Sequence, residues 1–481
     1  MLQLDLLIAV PALAAVACAI AGRVLPSFPK WIALLALLAQ AGLMFALAPV
    51  GLYSGARIEG ALWGAFGSMW STSLDGLSTP LMLLTIFIGL AAVIVSWDVK
   101  DRPGAFFALL LALQAALTAV FIADNLVLFY VGWESVLIPM YFIIGGWGSS
   151  NRRHAATKYL LYSFAAGAIM LFGVILAIAE SGGTARISEI TAASAGMSTP
   201  SLVFWLFTIA FLVKIPAVPF HTWLPDAHTE APTAGPIVLA GVLLKMGGYG
   251  LMRIAVPFAP SAFGQARIAL MILGLVGIVY GAAMALVQTD LKRLVAYSSV
   301  SHMGFVILAI AVATPDAMGA ALVAMVSHGF VAGLLFLLVG SLYARTHTRE
   351  LSRFGGLGRV MPIWGVAFTF GALASLGLPG LSGFPGEFAT VLESFRAFGW
   401  WTAFGTIGLV LAAAYNLRAV RSSVQGPVGE FTSLPDLGLR ETSLVVAFSV
   451  GIVALGIQPM LLLSIAEKAL LSLSKVAGGG M

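Results

Sequence analysis

Charge is scarce in this sequence. Only 9% of its 481 residues are Asp, Glu, Lys or Arg, against roughly 25% in an ordinary soluble domain. Cysteine is nearly absent. The single Cys18 excludes a disulfide framework, and no CxxC pair offers a zinc or iron–sulfur site. No glycine-rich phosphate loop follows a strand pattern. The N-terminus, Met1 to Asp5, lacks a basic stretch, and no A-x-A cleavage site follows, so it reads as the start of a retained helix rather than a cleaved signal peptide. Redox cofactor, nucleotide and metal chemistry thus have no visible seat in this chain.

What the sequence has in excess is apolar surface, at 60% of residues. Runs of about 20 apolar residues recur, the length a helix needs to cross hydrocarbon. Gly104 to Ala123 is one, without a single charge. Backbone groups in lipid must be satisfied within the segment, so these runs are helices. The net charge of +5 would point to nucleic acid in a soluble protein. Here it reflects loops on one side of a membrane, and the expected partner is the lipid bilayer, not nucleic acid.

The pattern predicts an all-α membrane protein of about fourteen spans, near 4–22, 31–48, 77–96, 104–123, 125–147, 157–179, 201–224, 233–254, 267–287, 293–313, 316–344, 361–398, 400–420 and 442–464. The seventh and twelfth carry several prolines, and 361–398 is too long for one straight crossing at about 1.5 Å per residue. Most basic residues fall in odd-numbered connections: Arg23, Lys30, Lys100, Arg102, Arg152, Arg153, Lys158, Lys292, Arg293, Arg345, Arg349, Arg353, Arg359, Arg418, Arg421 and Arg440. The positive-inside rule puts those connections in the cytoplasm and both termini outside.

The informative residues are ionisable groups inside spans. Glu134 lies in Trp133-Glu-Ser-Val-Leu-Ile-Pro139, Lys214 before Ile215-Pro216-Ala-Val-Pro219, and Lys245 in Leu243-Leu-Lys-Met-Gly247. His302 and His328 sit near mid-span, and Glu387 follows Pro379-Gly-Leu-Ser-Gly-Phe-Pro385-Gly386. A central charge costs roughly 2.5–3.5 kcal/mol on insertion scales, so the set needs mutual pairing or water. A common depth predicts a polar path across the bundle. A lone carboxylate can be a permanent structural partner and a lone histidine a packing residue; a scaffold role for the whole set predicts no shared depth. Trp133, Phe220, Trp223 and the many methionines read as packing or interfacial.

Prolines add weight. Pro216 and Pro219 remove backbone donors beside Lys214, as Pro379 and Pro385 do beside Glu387. Two interrupted spans in corresponding places of two halves are a sequence pointer to a transport site. The order acidic loop, mid-span ionisable residue and broken helix recurs, with Asp124 ahead of Glu134 and Asp290 ahead of His302.

The block Phe211-Leu-Val-Lys-Ile-Pro-Ala-Val-Pro-Phe-His-Thr-Trp-Leu-Pro-Asp-Ala-His-Thr-Glu-Ala-Pro-Thr-Ala-Gly235, then Leu239 to Gly250, strongly resembles the M-type (mitochondrial subunit 4 type) antiporter-like subunits of NADH:quinone oxidoreductase, respiratory complex I. Trp133 to Tyr141, Val295 to Phe305, Ser327 to Phe330 and Gly377 to Phe388 also fit, and the likeness runs from about residue 75 to 400. It implies two inverted five-helix repeats, 104–254 and 255–421, with discontinuous helices seven and twelve, preceded by helices 1–3 in 1–103 and followed by a loop, helix 14 and tail in 422–481. By the same match Glu134 and Lys214 are a coupled ion pair, Lys245 a central relay, His302 then His328 the link across, and Glu387 the terminal site. Sister subunits usually carry lysine at that last position, so Glu387 favours the M type. Pro236 departs from the family's small polar residue, in a first helical turn where proline is tolerated.

The resemblance implies a non-redox, proton-translocating subunit of the bacterial inner membrane. Its partners would be other complex I membrane subunits, including the sister antiporter-like ones, with NADH, FMN, iron–sulfur clusters and quinone in other subunits. A buried ammonium is stabilised by a nearby carboxylate, so weakening the Glu134–Lys214 pair would push a proton towards Lys245. Histidine titrates near neutrality and suits the onward relay. A stand-alone Mrp-type cation/proton antiporter or a membrane hydrogenase subunit shares the expected fold. A haem carrier with His302 and His328 as axial ligands would leave Lys214, Lys245 and Glu387 unexplained.

Overall fold

A computed structural model describes residues 2–52, 58–60 and 70–478. It is helical almost throughout. Among the described residues, twelve helical segments are long and apolar enough to cross a membrane, and Pro200–Lys214 and Pro362–Ser375 are shorter apolar helices. The segment Gly383–Ser423 contains two helices, Gly383–Phe398 and Ala403–Ser423. Among the described residues the one sheet is a hairpin, Ile58–Gly60 antiparallel to Thr72–Leu74.

Both proline-rich spans are broken. The seventh runs as Pro200–Lys214, an irregular stretch, then Trp223–Glu230. The twelfth runs as Pro362–Ser375, then a turn, then Gly383–Phe398. Gly377 and Gly380 enter that turn at φ +78° and +91°, a region that side chains with a Cβ avoid. The fourteenth span ends earlier than hydropathy predicts. Its helix, Leu439–Ile457, stops before Gln458-Pro459, and a separate amphipathic helix, Met460–Val476, follows. Proline at 459 removes a backbone donor, which ends the ladder.

Three spans form the centre. In Ala234–Phe258, Leu291–Val312 and Pro315–Thr346, 94% of the most apolar window is buried, against 22% for Leu439–Ile457. The central three carry Lys245, His302 and His328. On the outer helix Arg152–Glu180, Leu161, Phe164, Phe172 and Ile175 are exposed at near-helical spacing, as a lipid-facing stripe requires.

Ion pairs sort the connections into two faces. Lys158 and Arg293 meet Asp226 at 2.7 and 3.6 Å, Arg349 meets Asp290 at 3.0 Å, and Arg345 meets Glu441 at 2.6 Å. Arg353–Glu430 and Arg440–Asp98 also pair. All of these link odd-numbered connections to one another. Asp75–Arg253 at 2.7 Å and Asp124–Arg186 at 3.0 Å link even-numbered ones. The alternation read from the basic residues is therefore the alternation of the fold.

Candidate functional site

Lys214 is the last residue of its half-helix. Free carbonyls and the negative end of the helix dipole favour a cation there. The side chain is buried, and its Nζ lies 5.3 Å from the Trp133 ring centroid and 5.6 Å from that of Tyr159. Trp133 is thus a face for the lysine, not packing alone, a role its apolar setting in the sequence hides. Glu134 sits near the end of the helix Leu126–Ser135, half-buried, and its charge acts on Lys214. The two do not touch: among the described residues no carboxylate stands within ion-pair distance of Lys214. Gly167 makes room for the carboxylate, since a Cβ there would collide with Glu134 Oε1.

Lys245 is fully buried in a span with two π-helical turns, Leu239–Leu243 and Leu251–Ala255. Such turns loosen the regular ladder. The Lys245 ammonium donates to the Ala240 carbonyl, within the first of them, and to His328 Nδ1 at 2.7 Å. With Lys245 as the donor, a neutral His328 ring carries its proton on Nε2. His328 Nε2 has no partner among the described residues. The His328 and His302 ring centroids are 5.7 Å apart.

His302 Nδ1 donates to Glu387 Oε1 at 2.6 Å. Its Nε2 faces Ser375 Oγ at 3.3 Å and the Tyr415 hydroxyl at 3.4 Å. Both rings border one small cavity, with Ser327, Ser375 and Glu387. Its volume of about 20 Å³ has room for about one water.

The structure brings Lys245, His328, His302 and Glu387 into one row and sets Glu134 and Lys214 apart from it. It reverses the expected order of the histidines: His328 adjoins Lys245, and His302 adjoins Glu387. Sequence order says nothing about which turn of one helix faces which turn of another. Ser375, Tyr415 and Ser327 were not singled out from the sequence, since hydroxyls inside apolar spans carry no motif.

The family model described as "NADH:quinone oxidoreductase/Mrp antiporter, TM" matches residues 123–412, which include all six ionisable residues. NADH-quinone oxidoreductase subunit M of Pseudomonas aeruginosa is 37% identical, over 99% of this chain and 98% of its own. NAD(P)H-quinone oxidoreductase chain 4 3 of Trichormus variabilis is 41% identical, over 82% of this chain and 76% of its own. A chain of respiratory complex I from Thermus thermophilus superposes with TM-score 0.90 at 29% identity, covering 99% of this chain and 100% of that one. By sequence and by fold, this chain belongs to the NADH:quinone oxidoreductase/Mrp antiporter transmembrane family.

Proposed function

We infer that this chain is the M-type antiporter-like subunit of a proton-translocating NADH:quinone oxidoreductase, and that Glu134, Lys214, Lys245, His328, His302 and Glu387 move the proton. One observation carries the reading: the row is contiguous, with Lys245 bonded to His328 Nδ1 at 2.7 Å, the two histidine rings 5.7 Å apart, and His302 Nδ1 bonded to Glu387 Oε1 at 2.6 Å. In this reading Lys245 donates to His328 Nδ1, His328 holds its proton on Nε2, and His302 donates from Nδ1 to Glu387. Each ring accepts on its Lys245 side or cavity side and donates towards Glu387. A proton leaving Lys245 thus displaces one from each ring in turn and ends on the Glu387 carboxylate.

Electrostatics limits the load. Two unit charges 2.7 Å apart, the Lys245–His328 distance, repel by roughly 6 kcal/mol even at an effective dielectric constant of about 20. The pair therefore holds one ionising proton, not two. Glu134 acts on Lys214 through the field, and the charge on Lys214 sets the readiness of Lys245 to pass its proton on. Redox chemistry lies in other subunits, which hold the FMN, iron–sulfur clusters and quinone. The two broken helices occupy corresponding places in inverted repeats spanning 104–254 and 255–421. The basic connections face the cytoplasm of a bacterial inner membrane, with both termini outside.

Affinity purification through this chain tests the assignment. The expected outcome is co-purification of an FMN- and iron–sulfur-bearing assembly that reduces quinone with NADH, beside sister antiporter-like subunits. A particle without redox partners that exchanges sodium for protons on its own would contradict it.

A further inference from the structure

A row that moves protons across the molecule has to be closed towards the face they have yet to reach. The helix that carries Lys245 holds the means. Lys245, Tyr249 and Arg253 follow one another at a spacing of four, which keeps them along one side of the helix. Arg253 thus lies two turns, about 12 Å, beyond Lys245. Tyr249 is fully buried; its hydroxyl donates to the Phe121 carbonyl at 3.0 Å and accepts from Arg253 Nε at 3.1 Å. Arg253 stands in the second π-helical turn, Leu251–Ala255, and its Nη1 donates to Asp75 Oδ2 at 2.7 Å.

Beyond Arg253 there is room for water. A cavity of about 350 Å³ is lined by Arg253 together with Asp75, Asp124, Ser188, Thr191 and Ser472, so the even-numbered connections and the amphipathic helix Met460–Val476 converge on it. Ser188 and Ser472 are exposed, which opens the cavity to water on the even-numbered face. The Tyr249 hydroxyl and this cavity would form a short way out for a proton on Lys245. The guanidinium interrupts it. Arginine stays charged and has no acceptor, so it cannot take up a proton and pass it on. Its field also opposes a proton approaching from either side, as an arginine does in pores that exclude protons. Asp75 cancels that field only in part. Its Oδ1 accepts from the Leu77 and Ser78 amides at the start of the helix Ser78–Val95, both at 3.1 Å. Arg253 Nη2 is buried and has no partner among the described residues.

We propose that Arg253 is an electrostatic barrier that closes the Lys245 row to the even-numbered face, with Tyr249 and Asp75 as the positioning residues that hold it in place. The proposal rests on the proton-translocating reading above and adds the closure which that reading needs. A proton on Lys245 continues to His328 because the shorter way past Tyr249 is barred. A strut between two connections would account for the Asp75–Arg253 pair. It would not account for a guanidinium set between a buried lysine and a water-accessible cavity, with one amino group left unpaired.

The test uses the complete complex, purified and sealed into liposomes, and reads the decay of an imposed pH gradient without NADH. Arg253→Gln is expected to speed the decay by on the order of 10-fold or more, the factor that one unit charge about 10 Å away supplies at an effective dielectric constant of about 20. That leak runs through Lys245, so Arg253→Gln combined with Lys245→Ala returns the decay to within about twofold of wild type. An assembled Arg253→Gln complex that holds the gradient within about twofold of wild type overturns the proposal. So does a leak that persists undiminished in the double variant, the mark of a general packing defect. Where Arg253→Gln does not assemble, Arg253→Met decides by the same two criteria. NADH-driven proton uptake by Lys245→Ala separates the two levels. If uptake is lost while the Arg253 variant stays tight, only the barrier is wrong. If Lys245→Ala pumps normally, the translocation reading itself fails.

Discussion

The Lys214 site and the Glu387 end of the row are built differently. Among the described residues Lys214 has no hydrogen-bonded carboxylate; it lies against the faces of Trp133 and Tyr159, with Glu134 acting across a gap. At the other end His302 and Glu387 are in direct contact at 2.6 Å, with Ser375 and Tyr415 around the ring. Proton transfer needs contact, or one water between partners. Control by a field does not. In the proposed translocation the Glu387 end transfers and the Lys214 end is switched: aromatic faces hold a cation without fixing its direction. Lys245 is bonded to His328, in the row that ends at Glu387.

Four substitutions would break or sharpen this contrast, read as NADH-driven proton uptake at equal complex content. Lys245→Ala leaves His328 Nδ1 without its donor, and uptake is expected to fall by on the order of 100-fold. Glu387→Gln still accepts from His302 but cannot take up the proton, and a loss of roughly 10-fold or more follows. Trp133→Leu removes one face from Lys214; a cation–π contact in a desolvated site is worth about 2 kcal/mol, so part of the charge control goes and a severalfold loss results. Tyr415→Phe deletes a long hydrogen bond worth about 1 kcal/mol, and the expected change is only about twofold. A Trp133→Leu complex as impaired as Glu387→Gln would erase the distinction between a transferring end and a switching end.

Much of this was legible in the sequence, for reasons that can be traced. Hydrocarbon thickness sets span length, so the fourteen spans were countable, and Pro216, Pro219, Pro379 and Pro385 marked both breaks. Buried charge is costly, which singled out all six ionisable residues. The amphipathic helix Met460–Val476 was partly absorbed into the last span, because hydropathy does not see the turn at Gln458-Pro459. The order of the histidines was misread, since it depends on how Leu291–Val312 and Pro315–Thr346 face their neighbours. The Glu134–Lys214 contact implied by resemblance is a gap in this structure, and the aromatic cradle that replaces it has no sequence signature.

The sharpest test sets the two carboxylates side by side. Shortening each by one methylene, in Glu387→Asp and Glu134→Asp, keeps both charges and changes only reach. An interaction across a gap tolerates such a change, whereas a displacement of about 1 Å in a transferring contact can cost on the order of 100-fold. Proton uptake by assembled complex in vesicles is the measurement. The expected result is a loss of roughly 10-fold or more for Glu387→Asp and no more than about threefold for Glu134→Asp. Equal losses, or a greater loss at Glu134, would contradict it.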